Sequence, residues 1–318
     1  MLQVITDIDD TIKSSGGVTL GGIPLGGVDV TYARGSTYPG VFTFAAELTK
    51  HSTGLLEPAA NVAVLTARAR EFKAFLEVKQ SDKICVGFRK AGEALGGLPE
   101  GWGVGPVLYG SVAEWIDQSR KGWRKYENFK LLREQNEKAR RSARATVPKA
   151  LTAPARYVFI GDNGVSEKDR EAAERIIAAF PDALDAVFLH AVSGDATQQP
   201  APLPPDEEIG AVPVRYFRTY ASAAEKAASL GLLGASGARR VLDAMEDDMR
   251  RDSVNVKPGS ANERLLRDEI AAARARLGGA KVTLSPLRKP LRRPLRRLRR
   301  LVGKPAKGDR GGGRSRSK

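Results

Sequence analysis

Short runs in which nearly every residue is apolar constrain this chain more than any other feature. They fall at residues 2–6, 61–65, 157–160, 186–190 and 214–217. Four or five residues are too few for a buried helix, and apolarity without alternation means that both faces are covered. Between the runs lie stretches with apolar residues at helical spacing, at 39–48, 70–77, 121–138, 170–180 and 221–230. Strands alternating with helices in this way predict an α/β fold with a doubly wound parallel sheet. Two more strands are expected at 83–88 and 104–109, with Cys85 as a packed position in the first and a short helix over 91–97 between them. Ligands of such sheets bind beyond the carboxyl ends of the strands. The residues that follow each run therefore carry the functional reading.

The first run is followed by Asp7-Ile8-Asp9-Asp10-Thr11, the second by Thr66-Ala67-Arg68 and the third by Gly161-Asp162-Asn163-Gly164, with Asp169 ahead of the next helix. Two carboxylates one residue apart on an extended chain point the same way. Such a pair suits phosphoryl transfer, one acid attacking phosphorus and the other carrying a proton. Simpler origins exist for each feature, since an acidic turn produces the first string and Thr66 also suits a helix N-cap. What they do not explain is why Asp7, Thr66 and Asp162 fall at the ends of three separate strands, where unpartnered carboxylates bury poorly. Residues 13–40, rich in glycine and punctuated by Pro24 and Pro39, predict a small β-flap of one or two hairpins over this edge. There a lid would exclude water.

One cysteine and two histidines in 318 residues exclude a disulfide framework and a zinc site of the His/Cys kind. A metal would be bound by oxygen, which points to Mg2+. The net charge of +15 is local: residues 281–318 hold fifteen Lys or Arg against Asp309 alone, a net of +14, which leaves about +1 for the rest. The organisation expected is a catalytic domain over 1–233, a helical extension over 234–280 and a disordered polybasic tail over 281–318. The extension carries Val241, Leu242, Met245 and Met249, then Leu265, Leu266, Ile270, Ala273 and Leu277, spaced to pack on the domain or to self-associate. The basic stretch 139–156 is long for a connection. No apolar stretch is long enough to cross a bilayer, and the first strand leaves no room for a leader, so the expected setting is cytoplasmic. Peripheral contact with an anionic membrane surface is expected through residues 285–318, where leucines stand beside arginines. Nuclear import or nucleic-acid binding through the same arginines is the lesser alternative.

Together these motifs resemble the haloacid-dehalogenase superfamily of phosphohydrolases over roughly residues 2–192. The string from Asp7 to Lys13, followed by a flap, is similar to the catalytic domain of actin-patch-type phosphatidate phosphatases. The resemblance implies that Asp7 is the nucleophile, forming an aspartyl-phosphate, and that Asp9 protonates the leaving alcohol and then activates water. It implies phosphate binding by Thr11, Thr66 and Lys125, with Lys121 and Lys130 as alternates for the lysine. Asp162 would hold magnesium with Asp7 and the main-chain carbonyl of Asp9. Asp169 would be the second acid, with Glu167 as alternate because the loop from Asp162 is longer than is usual in the family. The implied activity is Mg2+-dependent release of phosphate from phosphatidate to leave diacylglycerol. A soluble phosphomonoester or a phosphoprotein is the alternative substrate. A non-catalytic scaffold binding membrane or nucleic acid by its tail is the alternative class.

Overall fold

Apolar runs covered on both faces assemble into one sheet in the computed structural model, which describes residues 2–20, 23–24, 26–53, 59–69, 79–110, 120–143, 154–164, 167–251 and 254–279. The helix expected over 70–77, residues 144–153 of the long connection and the whole basic tail lie outside the described residues. The chain begins with β1 (Leu2–Thr6), the short strands β2 (Thr19–Leu20) and β3 (Ile23–Pro24), and α1 (Val41–Ser52). It continues through β4 (Val62–Ala69), α2 (Lys83–Leu95), β5 (Val104–Gly110), α3 (Lys121–Ala143), β6 (Arg156–Asp162) and α4 (Lys168–Ala179). Then come β7 (Leu184–His190), β8 (Glu207–Ile209), β9 (Val212–Phe217), α5 (Tyr220–Ser229), α6 (Ala235–Met249) and α7 (Ala261–Gly279).

The sheet has seven strands in the order β5-β4-β1-β6-β7-β9-β8, all parallel except β8, which pairs antiparallel with β9. From β1 the chain builds outward to β4 and β5, then crosses back to place β6 on the other side of β1. That reversal puts a topological switch point at the carboxyl ends of β1 and β6. Side chains alternate between faces with period two. Val4, Val62, Val64, Val158, Ile160 and Phe188 turn to one face, and Ile5, Ala63, Leu65, Tyr157, Phe159 and Val187 to the other. Phe129 and Leu132 of α3 and Ala173 and Ile176 of α4 cover the second face.

The first face is covered more deeply. Phe44 and Leu48 of α1 meet Val241, Leu242 and Met245 of α6, and Leu266, Ile270, Ala273 and Leu277 of α7 join the same core. Polar contacts fix the joint: buried Glu47 accepts from Nε and Nη2 of Arg240, Asp248 accepts the Gly40 N–H at 2.9 Å, and Thr219 donates to Glu269 at 2.6 Å. The helices beyond residue 233 thus share the core of the sheet.

Three expectations need correction. Residues 83–88 are the first half of α2, not a strand. Ile84, Cys85, Phe88 and Gly92 form its buried stripe, so Cys85 packs from a helix. Strand β4 runs on past Thr66 to Ala69, which pairs with Gly110. Residues 139–143 continue α3 instead of opening a linker. The flap, expected to hold one or two hairpins, has one among the described residues, β2 with β3. Among the described residues no helix is long and apolar enough to cross a membrane.

The shared core has a measurable consequence. Met245→Ala is expected to lower unfolding stability by about 2–5 kcal/mol, and Leu131→Ala, on a side chain 46% exposed, by under about 0.5 kcal/mol. Guanidinium unfolding monitored by circular dichroism reads both.

Candidate active site

Asp7 leaves β1 with its N–H still bonded to the Ile160 carbonyl at 3.0 Å, which ties it to the end of β6. Asp162 is the last residue of β6, and Asp169 lies in the first turn of α4. Asp169 can approach the end of β6 because Gly161 has no side chain: a Cβ there would fall 2.6 Å from that of Asp169. One Asp169 oxygen accepts the Asp162 N–H at 3.0 Å and the other takes the ammonium of Lys125. Lys125 comes from the opening turns of α3. Its Nζ stands 2.9 Å from Asp7 Oδ2, and lysine and Asp169 are 3% and 1% exposed. Oxygens of Asp7, Asp162 and Asp169 converge within 4.8 Å of one another.

Other sequence-derived candidates fall around this centre or away from it. Thr66 is buried on β4, two residues beyond Val64, which pairs with Thr6, so it lies just past the level at which β1 ends. Asp9 is half-buried beside Gly26, outside the carboxylate triad, and a Cβ on Gly26 would lie 3.1 Å from its Cγ. Thr11 is wholly buried and its hydroxyl has no hydrogen-bond partner, while its carbonyl accepts from Tyr220 at 2.9 Å. Lys130 pairs with Glu127 at 3.1 Å on the outer side of α3. Glu167 is exposed, 3.9 Å from Arg170, and takes no part in the triad. The side chain of Lys121 lies outside the described residues.

Two residues whose part here was not foreseen are Asp10 and His190. Buried Asp10 accepts N–H bonds from Ser15 at 2.8 Å and Asp29 at 2.9 Å, and a third from Val28. His190 bridges the Asp10 carbonyl at 2.7 Å and the Arg218 carbonyl at 3.0 Å. An acid adjoining the motif and a histidine ending a strand were the available signals, and neither names its partner.

Charge in the triad is out of balance, three carboxylates against one ammonium. Burial pushes Asp7 up to about 7, Lys125 pulls it back, and Asp169 and Asp9 push it further. Burial, then Asp169 and Asp10, raise Asp162 well above the usual carboxylate range. Burial alone would lower Lys125, but Asp169, Asp7 and Asp162 outweigh it and hold the ammonium above the usual lysine range. An all-oxygen donor set with excess negative charge suits a hard divalent cation, whose opposed ligands lie about 4–5 Å apart. These three residues can therefore hold a metal ion. Compared with known proteins, the chain matches no family model, no curated protein and no solved structure.

Asp7 titrates higher folded than unfolded (about 4 in the open chain), so the folded chain binds that proton more tightly. Stability without metal then falls as pH rises between about 4 and about 7. Protons and a divalent cation compete for the same oxygens. Millimolar Mg2+ is expected to raise the thermal midpoint more at pH 8 than at pH 5, and Asp162→Asn to remove most of that gain. Scanning fluorimetry reads this, and a midpoint indifferent to the ion at both pH values contradicts it.

Proposed function

We propose that this chain is a divalent-cation-dependent phosphohydrolase working through an aspartyl-phosphate on Asp7. The observation that carries the reading is Lys125, buried between Asp7 and Asp169 while Asp162 closes the triad, at the switch point of a parallel sheet. A carboxylate attacks a phosphomonoester poorly because both are negative, so a nucleophile of this kind needs positive charge fixed beside it. Lys125 supplies part of that charge. A bound Mg2+, held by Asp7, Asp162 and Asp169, would supply the rest by offsetting charge on the phosphoryl oxygens.

Asp7 attacks phosphorus, the bond from phosphorus to the ester oxygen breaks, and Asp9 gives its proton to the departing alcohol. Water then attacks the acyl phosphate, Asp9 takes the proton, and phosphate leaves with Asp7 restored. Thr66, beside the end of β1, suits hydrogen bonding to a phosphoryl oxygen. The membership that would make this mechanism expected, in the haloacid-dehalogenase superfamily, rests on the motifs at Asp7, Thr66, Lys125 and Asp162.

Phosphatidate is the substrate favoured, on two grounds. The Asp7 to Lys13 string resembles actin-patch-type phosphatidate phosphatases, and the arginine-rich end supplies attraction to anionic lipid at about 1 kcal/mol per charge near the surface. The assay is Mg2+-dependent phosphate release from phosphatidate vesicles beside a soluble aryl phosphate. Asp7→Asn is expected to lose at least about 10³-fold on both, and Asp9→Asn about 10²–10⁴-fold on the lipid. Release from the aryl ester alone moves the substrate to a soluble phosphomonoester. Release that survives Asp7→Asn, or that ignores Mg2+, removes the reading.

A further inference from the structure

Residues 26–29 cross beside Asp9, and one carboxylate holds them there. Gly26 approaches the Asp9 carboxyl group closely, and Gly27 has no room for a side chain, since a Cβ would fall 2.5 Å from Asp10 Cγ. One oxygen of Asp10 accepts the N–H of both Val28 and Asp29, and the other that of Ser15. Asp10 has φ +59°, a left-handed backbone that glycine adopts at less cost. It is also fully buried, where a carboxylate is unfavourable unless hydrogen-bonded. Backbone and burial both disfavour an acid here, and three N–H bonds to the flap are what it gains.

The surroundings hold this contact in place. Tyr38 O–H donates to Asp29 at 2.9 Å, and its ring meets His190 edge-on with centroids 4.5 Å apart. His190 in turn bridges the Asp10 and Arg218 carbonyls. Val28 reaches the loops after β6 and β7: Cβ atoms on Gly164 and Gly194 would lie 3.5 and 3.2 Å from it. The segment thus spans from the motif after β1 to the loops after two other strands.

We propose that Asp10 is a positioning residue, locking residues 26–29 against Asp9 and so setting the orientation from which Asp9 delivers its proton. This rests on the phosphohydrolase reading above. Proton delivery matters most for a basic leaving group and little for an activated phenolate. The lock should therefore show in leaving-group dependence, which a general loss of folded protein would not alter.

The test uses the full chain with Mg2+ and two substrates, an alkyl phosphomonoester such as glycerol phosphate and the aryl ester para-nitrophenyl phosphate. Asp10→Asn is expected to lower kcat about 10²-fold on the alkyl ester and less than about tenfold on the aryl ester. Gly27→Ala should give the same split in the wild-type background. It should add nothing in an Asp10→Gly background, where the carboxylate it would meet is gone. Equal losses on both esters, or additive losses in the double variant, overturn the proposal. A wild-type chain inert toward both esters and toward phosphatidate vesicles overturns the phosphohydrolase reading itself. Amide exchange at Val28 and Asp29 then decides the lock separately: protection lost in Asp10→Asn upholds it, and protection unchanged overturns it.

Discussion

An ammonium buried among carboxylates is the interaction on which the rest of this structure depends. Taking a lysine out of water costs several kcal/mol unless close acids replace the lost hydration. Lys125 meets that condition with Asp7 from the end of β1 and Asp169 from the start of α4. Neither acid is near it in sequence, so the pair forms only when the central strand, α3 and α4 are all in place. The acids still outnumber the lysine, and burial together with that surplus raises the titration of Asp7 and Asp162. The fold tolerates the surplus at one edge of the sheet, where the three acids can hold a metal ion.

The architecture explains how such a centre is kept rigid. β1 lies in the middle of the sheet with β4 and β6 on its flanks, and both of its faces are covered. The α3 and α4 side is the thinner layer and carries Lys125 and Asp169. The opposite side is deep, with α1 packed between α2 and α6 and pinned by the Glu47–Arg240 pair, and with α5 and α7 joining the same core. Residues beyond 233 therefore bear on the site indirectly, by completing the core under the strand that bears Asp7.

Much of this was legible in the order of residues, for physical reasons that differ by element. Unbroken apolar runs are diagnostic of strands covered on both faces, so β1, β6 and β7 and the acids at the ends of the first two could be read directly. The run around Cys85 misled because five apolar or small residues fit either a strand or one face of a helix, and the buried stripe of α2 continues to Gly92. Lys121, Lys125 and Lys130 could not be separated by pattern, because all three lie on one helix and only the facing of α3 against α4 selects Lys125. Asp169 and Glu167 differ in the same way: the tight approach at Gly161 accepts the residue in the first turn of α4, while Glu167, just before it, points to solvent. The parts played by Asp10 and His190 were illegible because their partners are backbone groups of distant loops, and a backbone N–H leaves no mark in the sequence.

That last point bears on how the site is built. The three acids between Asp7 and Asp10 differ in what they meet: Asp7 joins the carboxylate triad, Asp9 lies beside Gly26, and Asp10 is bonded to the chain itself. Because Asp7 is held by Lys125 and Asp10 by the amides of Ser15, Val28 and Asp29, Asp9 sits between two fixed points. A short turn clamped at both ends has little freedom to swing, and that limits the orientations open to the side chain in its middle. In the mechanism proposed above, a proton donor at Asp9 gains from such placement, because transfer to a leaving group depends on where the carboxyl is held.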